Sequence, residues 1–126
     1  MQQGRLSTQP DALAPDGSEI RLAGSVRGGS LVECTLPPGK VSAAVRHRTV
    51  EEMWLLVGGA GEVWRKLGAE ESLVAVGPGA WLTIPLGSHF QFRNTGAAPL
   101  RFVIAMLPPW PGADEAERVP DHWPVE

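Results

Sequence analysis

The chain has 126 residues, room for one domain with its own core and not for two, and by surface scaling it hides about two-thirds of its unfolded area, enough to fold without metal or disulfide staples. Gly (15) and Pro (12) together make up about a fifth of the residues and only 20% are charged; ordinary chains carry roughly one Gly or Pro in eight, so frequent turns and few helices are expected. A net charge of −3 lacks the basic excess that neutralising a phosphate backbone requires, which argues against nucleic acid, and no apolar run approaches the roughly 20 residues that span a bilayer.

In chain order, residues 1–18 are polar with two prolines and are expected to form a loose arm or an edge strand that covers a partner. From 19 to 107 the sequence is a run of short apolar or alternating segments, each closed by Gly or Pro: 19–23, 30–36, 41–46, 51–57, 61–66, 72–76, 80–84, 89–94 and 100–107. Segments of this length spaced about ten residues apart predict an all-β sandwich or barrel. Alternation in 41–48 puts His47 on one face with Val41, Ala43 and Val45. In 51–56 both faces carry large apolar side chains, which predicts a strand covered on each side, with Glu52 sharing a face with Trp54 and Leu56. Phe90 and Phe92 share a face opposite His89, Gln91 and Arg93.

Residues 108–126 carry prolines that cannot donate to a central ladder, and two tryptophans, Trp110 and Trp123, that are costly to leave in water. This Pro/Trp-rich tail is expected to wrap back over the barrel or over a neighbouring subunit, with at most one helical turn in 113–118. The single cysteine, Cys34, has no internal partner, and the polar start lacks a signal-like apolar stretch, so the expected compartment is the cytoplasm. Cys34 itself reads as a small packed side chain rather than a nucleophile, since no basic residue neighbours it in sequence.

Two stretches carry a family resemblance. Gly39 is followed by five residues, Val45-Arg46-His47, four residues, Glu52, six residues and Gly59; Gly79 is followed by five residues, Pro85-Leu86-Gly87-Ser88-His89-Phe90, three residues and Asn94. In order and spacing these resemble the paired signatures of the cupin superfamily. The resemblance implies a single small cupin barrel over 19–107, a jelly-roll-like double-stranded β-helix, and a homodimer. The residues agree independently: Gly59 and Gly61 suit a tight hairpin, and Gly77-Pro78-Gly79 and Pro85-Leu86-Gly87 mark reversals.

Metal-binding cupins use two histidines and a glutamate from the first motif and a histidine from the second. Carried over, those positions hold Val45, His47, Glu52 and Phe90. Val and Phe donate no lone pair, and a divalent cation needs about three protein ligands. No cofactor is therefore expected. His89, one residue off the last position, faces the other way unless a bulge re-aims it; with it, His47, Glu52 and His89 would make a set able to hold zinc or non-haem iron.

The resemblance and the pattern together give three function classes. The first is a small organic molecule bound in an apolar barrel cavity lined by Val45, Trp54, Leu56, Trp81, Phe90 and Phe92, with His47 and Glu52 as a general acid and base for isomerisation, dehydration or cyclisation. The second is a metal-dependent oxygenase or lyase using His47, Glu52 and His89. The third is a non-catalytic accessory or sensing module working through a dimer surface. A buried polar pair left over from a metal site, with no chemistry of its own, is the bland alternative for His47 and Glu52.

Overall fold

Period-two alternation interrupted by Gly and Pro builds two antiparallel sheets in the computed structural model, which describes residues 1–125. The strands are β1 (Ala12–Leu13), β2 (Glu19–Val26), β3 (Gly29–Leu36), β4 (Val45–His47), β5 (Glu51–Gly58), β6 (Gly61–Leu67), β7 (Glu70–Val76), β8 (Trp81–Ile84), β9 (His89–Asn94), β10 (Leu100–Leu107) and β11 (Ala116–Arg118). One sheet has six strands in the order β1-β2-β3-β10-β5-β8, and the other has five in the order β11-β4-β9-β6-β7. From β3 onward the chain changes sheet at most connections, the winding of a double-stranded β-helix. Inward residues of both sheets, among them Leu36, Leu56, Val63, Phe92 and Phe102, form one core.

The motif glycines and asparagine hold this frame. Gly59 adopts φ of 80°, and a Cβ there would strike the Pro99 carbonyl; a Cβ on Gly61 would strike the Arg93 carbonyl. The β5–β6 turn thus lies directly against the β9–β10 connection, closer than any side chain permits. Asn94 Nδ2 donates to the carbonyls of Leu36 (3.0 Å) and Ala98 (2.8 Å) while its Oδ1 accepts from Gly96 N–H (2.9 Å), tying the end of β3 to the turn before β10.

One segment differs from the sequence expectation, while the tail packs over the barrel as expected. The strand expected at 41–46 is regular only over Val45–His47, with an isolated bridge from Val41 to Arg93. The Ala43 N–H goes instead to the Asp16 carbonyl (2.8 Å), and the Ala44 N–H to Asp121 Oδ1 (2.9 Å), so both ends of the chain take bonds that a sheet neighbour would have had. In the tail, a 3-10 turn at Ala113–Glu115 runs into strand β11, which pairs with β4 at Ala116–His47; the free edge of β4 is satisfied by the tail. Residues 2–11 run exposed along the edge of β2, with Gln2 Oε1 accepting from Ser25 N–H (3.0 Å) and Asp11 Oδ2 from Leu22 N–H (2.7 Å), before the chain forms the short edge strand β1. Among the described residues, no helix is long and apolar enough to cross a membrane.

Candidate functional site

His47 and Glu52 meet at one end of the barrel lumen because β4 and β5 alternate in phase: Val45 and His47 point inward on β4, as do Glu52, Trp54 and Leu56 on β5. His47 Nε2 lies 3.2 Å from Glu52 Oε2. The other carboxylate oxygen, Oε1, accepts from Trp54 Nε1–H at 2.9 Å. The two residues are 7% and 3% exposed, and among the described residues Glu52 is the one group within hydrogen-bond distance of the imidazole while sharing its own carboxylate between His47 and Trp54. Phe90 stacks on the imidazole with centroids 5.6 Å apart, and Trp54 meets Phe90 and Phe92 edge-on and stacks on Phe102.

Two further carboxylates come from outside the motifs. Glu115, in the tail, accepts from the N–H groups of Thr49 and Val50 and from Thr49 Oγ1 (2.8 Å), and stands 3.8 Å from His47 Nδ1. That nitrogen is buried with no hydrogen-bond partner. Asp16, from the turn after β1, accepts from the Ser18 N–H (2.9 Å) and Ser18 hydroxyl (2.6 Å) and lines the same lumen as Cys34, Val45 and His47.

Burial by itself pushes the His47 pKa down, but the bond to Glu52 and the negative charges of Glu52, Glu115 and Asp16 outweigh it and leave the imidazolium favoured above its ordinary range. Asp16 moves the other way from a typical bonded carboxylate: burial raises its pKa against the two Ser18 bonds, with Glu52 adding repulsion. Burial likewise pushes the Cys34 thiol well up, helped by the Asp16 charge.

The cavity at these groups is small, about 40 Å³, enough for a water molecule or two and far below the roughly 300 Å³ or more of an ordinary organic-ligand site. Aromatic rings fill what is left. Its walls are strands except at the turn 14–18 and at Trp110 of the tail.

Several expected site residues lie elsewhere. Trp81 is not in the lumen: it is 76% exposed, because on the short β8 Leu82 and Ile84 take the inward positions and the alternation turns Trp81 outward. It sits instead in a shallow groove on the outer face with Leu31, Met53, Leu55 and Val103. Leu56 is buried in the core but is not part of the cavity wall. His89 pairs across to Arg46 and Lys66 with no register shift in β9, so no bulge re-aims it and Phe90 takes the inward place. The three-ligand set His47, Glu52 and His89 is not assembled, and among the described residues no group of three or more His, Cys, Asp or Glu side chains is arranged to hold a metal ion. With Val45 and Phe90 at two of the four ligand positions, the donors present do not fit a cupin metal.

The strand β5 is also not covered on both sides within one chain, since Met53, Leu55 and Val57 are exposed on the outer face. Sequence reasoning missed Asp16, Ser18 and Glu115, while Trp110 lies over the barrel as the tail was expected to. The Pro15-Asp16-Gly17-Ser18 run carried a turn signal, but nothing local places that turn over the lumen.

A family profile described as "Cupin domain" matches residues 32–106. Among solved structures, the capsular polysaccharide assembling protein CapF of Staphylococcus aureus is similar at TM-score 0.69 and 15% identity, over 91% of this chain and 34% of that one. A Klebsiella pneumoniae protein with a double-stranded β-helix domain matches at TM-score 0.66 and 16% identity, over 82% and 85% of the two chains. The Drosophila melanogaster CENP-C structure bound to CAL1 matches at TM-score 0.65 and 14% identity, over 72% and 71%. At these identities the likeness is one of fold. No functionally curated protein matches the sequence.

Proposed function

Since this chain belongs to the cupin family and lacks that family's metal ligands at two positions, we propose that its lumen is a metal-free acid–base site for a small organic molecule. His47 and Glu52 act there as the proton-transferring pair in a reaction of the isomerisation, dehydration or cyclisation type. The reading rests on one observation: an imidazole and a carboxylate 3.2 Å apart, both buried, at the end of a chamber walled by aromatic rings. Such a pair stabilises a fold no better than apolar packing of the same volume, which takes fold stability away as the reason for it and supports a chemical role. The favoured imidazolium is the acid and the Glu52 carboxylate the base, with Val45, Trp54, Phe90 and Phe92 offering the apolar contact. The ligand enters a wider state than the closed one, because about 40 Å³ admits no organic molecule.

The test combines elemental analysis of untagged protein with a ligand-observed NMR screen on wild type, His47→Ala and Glu52→Gln. Expected are far less than one ion per chain and library hits that both variants lose. A stoichiometric ion would overturn the reading in favour of metal-dependent oxygenase or lyase chemistry.

A second reading, an interaction module that dimerises, is favoured by the outer face of the six-stranded sheet. Leu31, Met53, Leu55, Val57, Trp81 and Leu107 are all exposed there, and a concavity of about 830 Å³ lies on that face between Val26, Leu31, Met53 and Leu107. Contiguous apolar surface of this kind marks an interface, and a second copy of the chain is the proposed occupant. CENP-C, solved with CAL1, is a fold-level precedent for a cupin that engages protein.

A further inference from the structure

We propose that the tail, residues 108–125, is a strap that gates the lumen, and that Gln91, on the outer face of the five-stranded sheet, is the latch that holds it closed. The lumen walls are strands of the two sheets apart from two pieces of irregular chain, the 14–18 turn and the tail at Trp110. The turn is built into the barrel, since Ala14 N–H donates to the Ser18 carbonyl and the Asp16 carbonyl accepts from Ala43 N–H, each at 2.8 Å. The strap is held differently. Trp110 N–H donates to Ser30 Oγ (3.1 Å), Glu115 accepts from Thr49 and Val50, and β11 pairs along one side only, over three residues.

Beyond β11 the strap crosses to the outside of the five-stranded sheet and meets Gln91, which is fully buried. Gln91 Oε1 accepts the N–H groups of both His122 and Trp123 (2.8 Å each), and Nε2 donates to the Trp123 carbonyl (2.9 Å) and the Ser42 carbonyl (2.8 Å). One amide thus uses its full donor and acceptor capacity, three of the four bonds going to the strap. The strap is also tied by Val119 N–H donating to the Ala44 carbonyl (3.1 Å), Asp121 Oδ1 accepting from Ala44 N–H (2.9 Å) and the exposed Arg46–Glu117 ion pair (2.8 Å), with ring stacking of His122 on Trp64 at 5.0 Å and Arg93 over Trp123 at 4.5 Å. Most of the strap from 117 to 125 is half-buried or exposed, and its prolines withhold the N–H groups that a permanent strand would need. A segment held mainly by polar bonds, with little apolar surface buried beneath it, opens at lower free energy than the sheets it crosses. Releasing it withdraws Trp110, Glu115 and Ala116 from the site together.

The purpose assigned to the gate rests on the reading of the lumen as the working site, but the test does not. Cys34 is the chain's single cysteine, 2% exposed and part of the lumen wall, so its alkylation by iodoacetamide, followed by intact-mass spectrometry, reports how often the lumen opens. In parallel, hydrogen exchange at the β3 and β10 amides reports global unfolding. Gln91→Ala is expected to speed Cys34 alkylation at least about tenfold, the consequence of losing a few net hydrogen bonds, with β3 and β10 exchange unchanged. Trp123→Ala, which weakens the latch from the strap side and leaves Gln91 in place, is expected to act in the same direction and carries the test if Gln91→Ala fails to fold. Alkylation that stays at the wild-type rate in the folded variants, or rises only in step with β3 and β10 exchange, overturns the proposal. No substrate is read, so a failed ligand screen leaves the gate standing and a failed gate leaves the screen standing.

Discussion

At Asp16 and His47 the folded protein binds protons more tightly than the unfolded chain does, and both contributions have the same sign. Asp16 is raised above its ordinary 3.8 by burial. The stability linked to its proton is complete below about pH 4 and is lost as pH rises through the raised value. His47 is raised above 6.5 by Glu52 and the neighbouring carboxylates, which outweigh its burial; its contribution is complete below that value and is lost on the alkaline side. Asp16→Asn keeps an acceptor for Ser18 and removes the titration, so its thermal midpoint is expected to gain on wild type as pH goes from about 4 to 7. A constant difference across that series would count against a raised Asp16. At Glu52, truncation to Ala strands His47 Nε2 and Trp54 Nε1 in the interior and is expected to cost about 3 kcal/mol or more in urea unfolding. Glu52→Gln, which keeps shape and an acceptor, is expected to cost clearly less.

Among the elements, β4 is the one whose neighbours decide the site. It is only three residues long, flanked by β9 within the barrel and by β11 from the tail, so His47 is aimed by a strand that the tail helps to order. Glu115→Ala removes the acceptor of the Thr49 and Val50 N–H groups and is expected to cost about 1–2 kcal/mol, with faster hydrogen exchange confined to 49–50 and the tail. Trp110, half-buried against the core, is expected to cost about 2 kcal/mol on truncation to Ala, below the roughly 3–5 of a fully buried ring. Exchange spread evenly over both sheets in either variant would mean that the tail is not a separate unit.

For the molecule as a whole, the two sheets are unequal in what they leave uncovered. The five-stranded sheet has the tail across its outer face, whereas the six-stranded sheet presents Met53, Leu55, Val57 and Trp81 bare. Its four eight-residue strands, β2, β3, β10 and β5, spaced about 4.8 Å apart and about 26 Å long, give that face on the order of 500 Å², below the roughly 800 Å² per partner of a standard interface and of its order. Sedimentation at micromolar concentration is expected to show a dimer for wild type and a monomer with unchanged circular dichroism for Trp81→Glu. A wild-type monomer would sink the dimer proposal.

What the amino-acid sequence determined by itself was local. Alternation and Gly/Pro punctuation delimited the strands of 19–107 closely except at 41–46, put His47, Glu52, Trp54, Phe90 and Phe92 on inward faces, and left Val45 and Phe90 where a metal's ligands would stand, because side-chain direction in a strand follows from period two alone. Trp81 escaped that logic because β8 is short, and its single large ring on the outer face outweighs Thr83 in marking which side is apolar. The size of the lumen, the arrival of Asp16 and Glu115 beside His47, and the Gln91 latch were decided only by the tertiary structure. Those contacts join residues some 30 to 70 positions apart through turns and a proline-rich tail, which have no periodicity to reveal where they dock, and the closeness of packing depends on every ring at once.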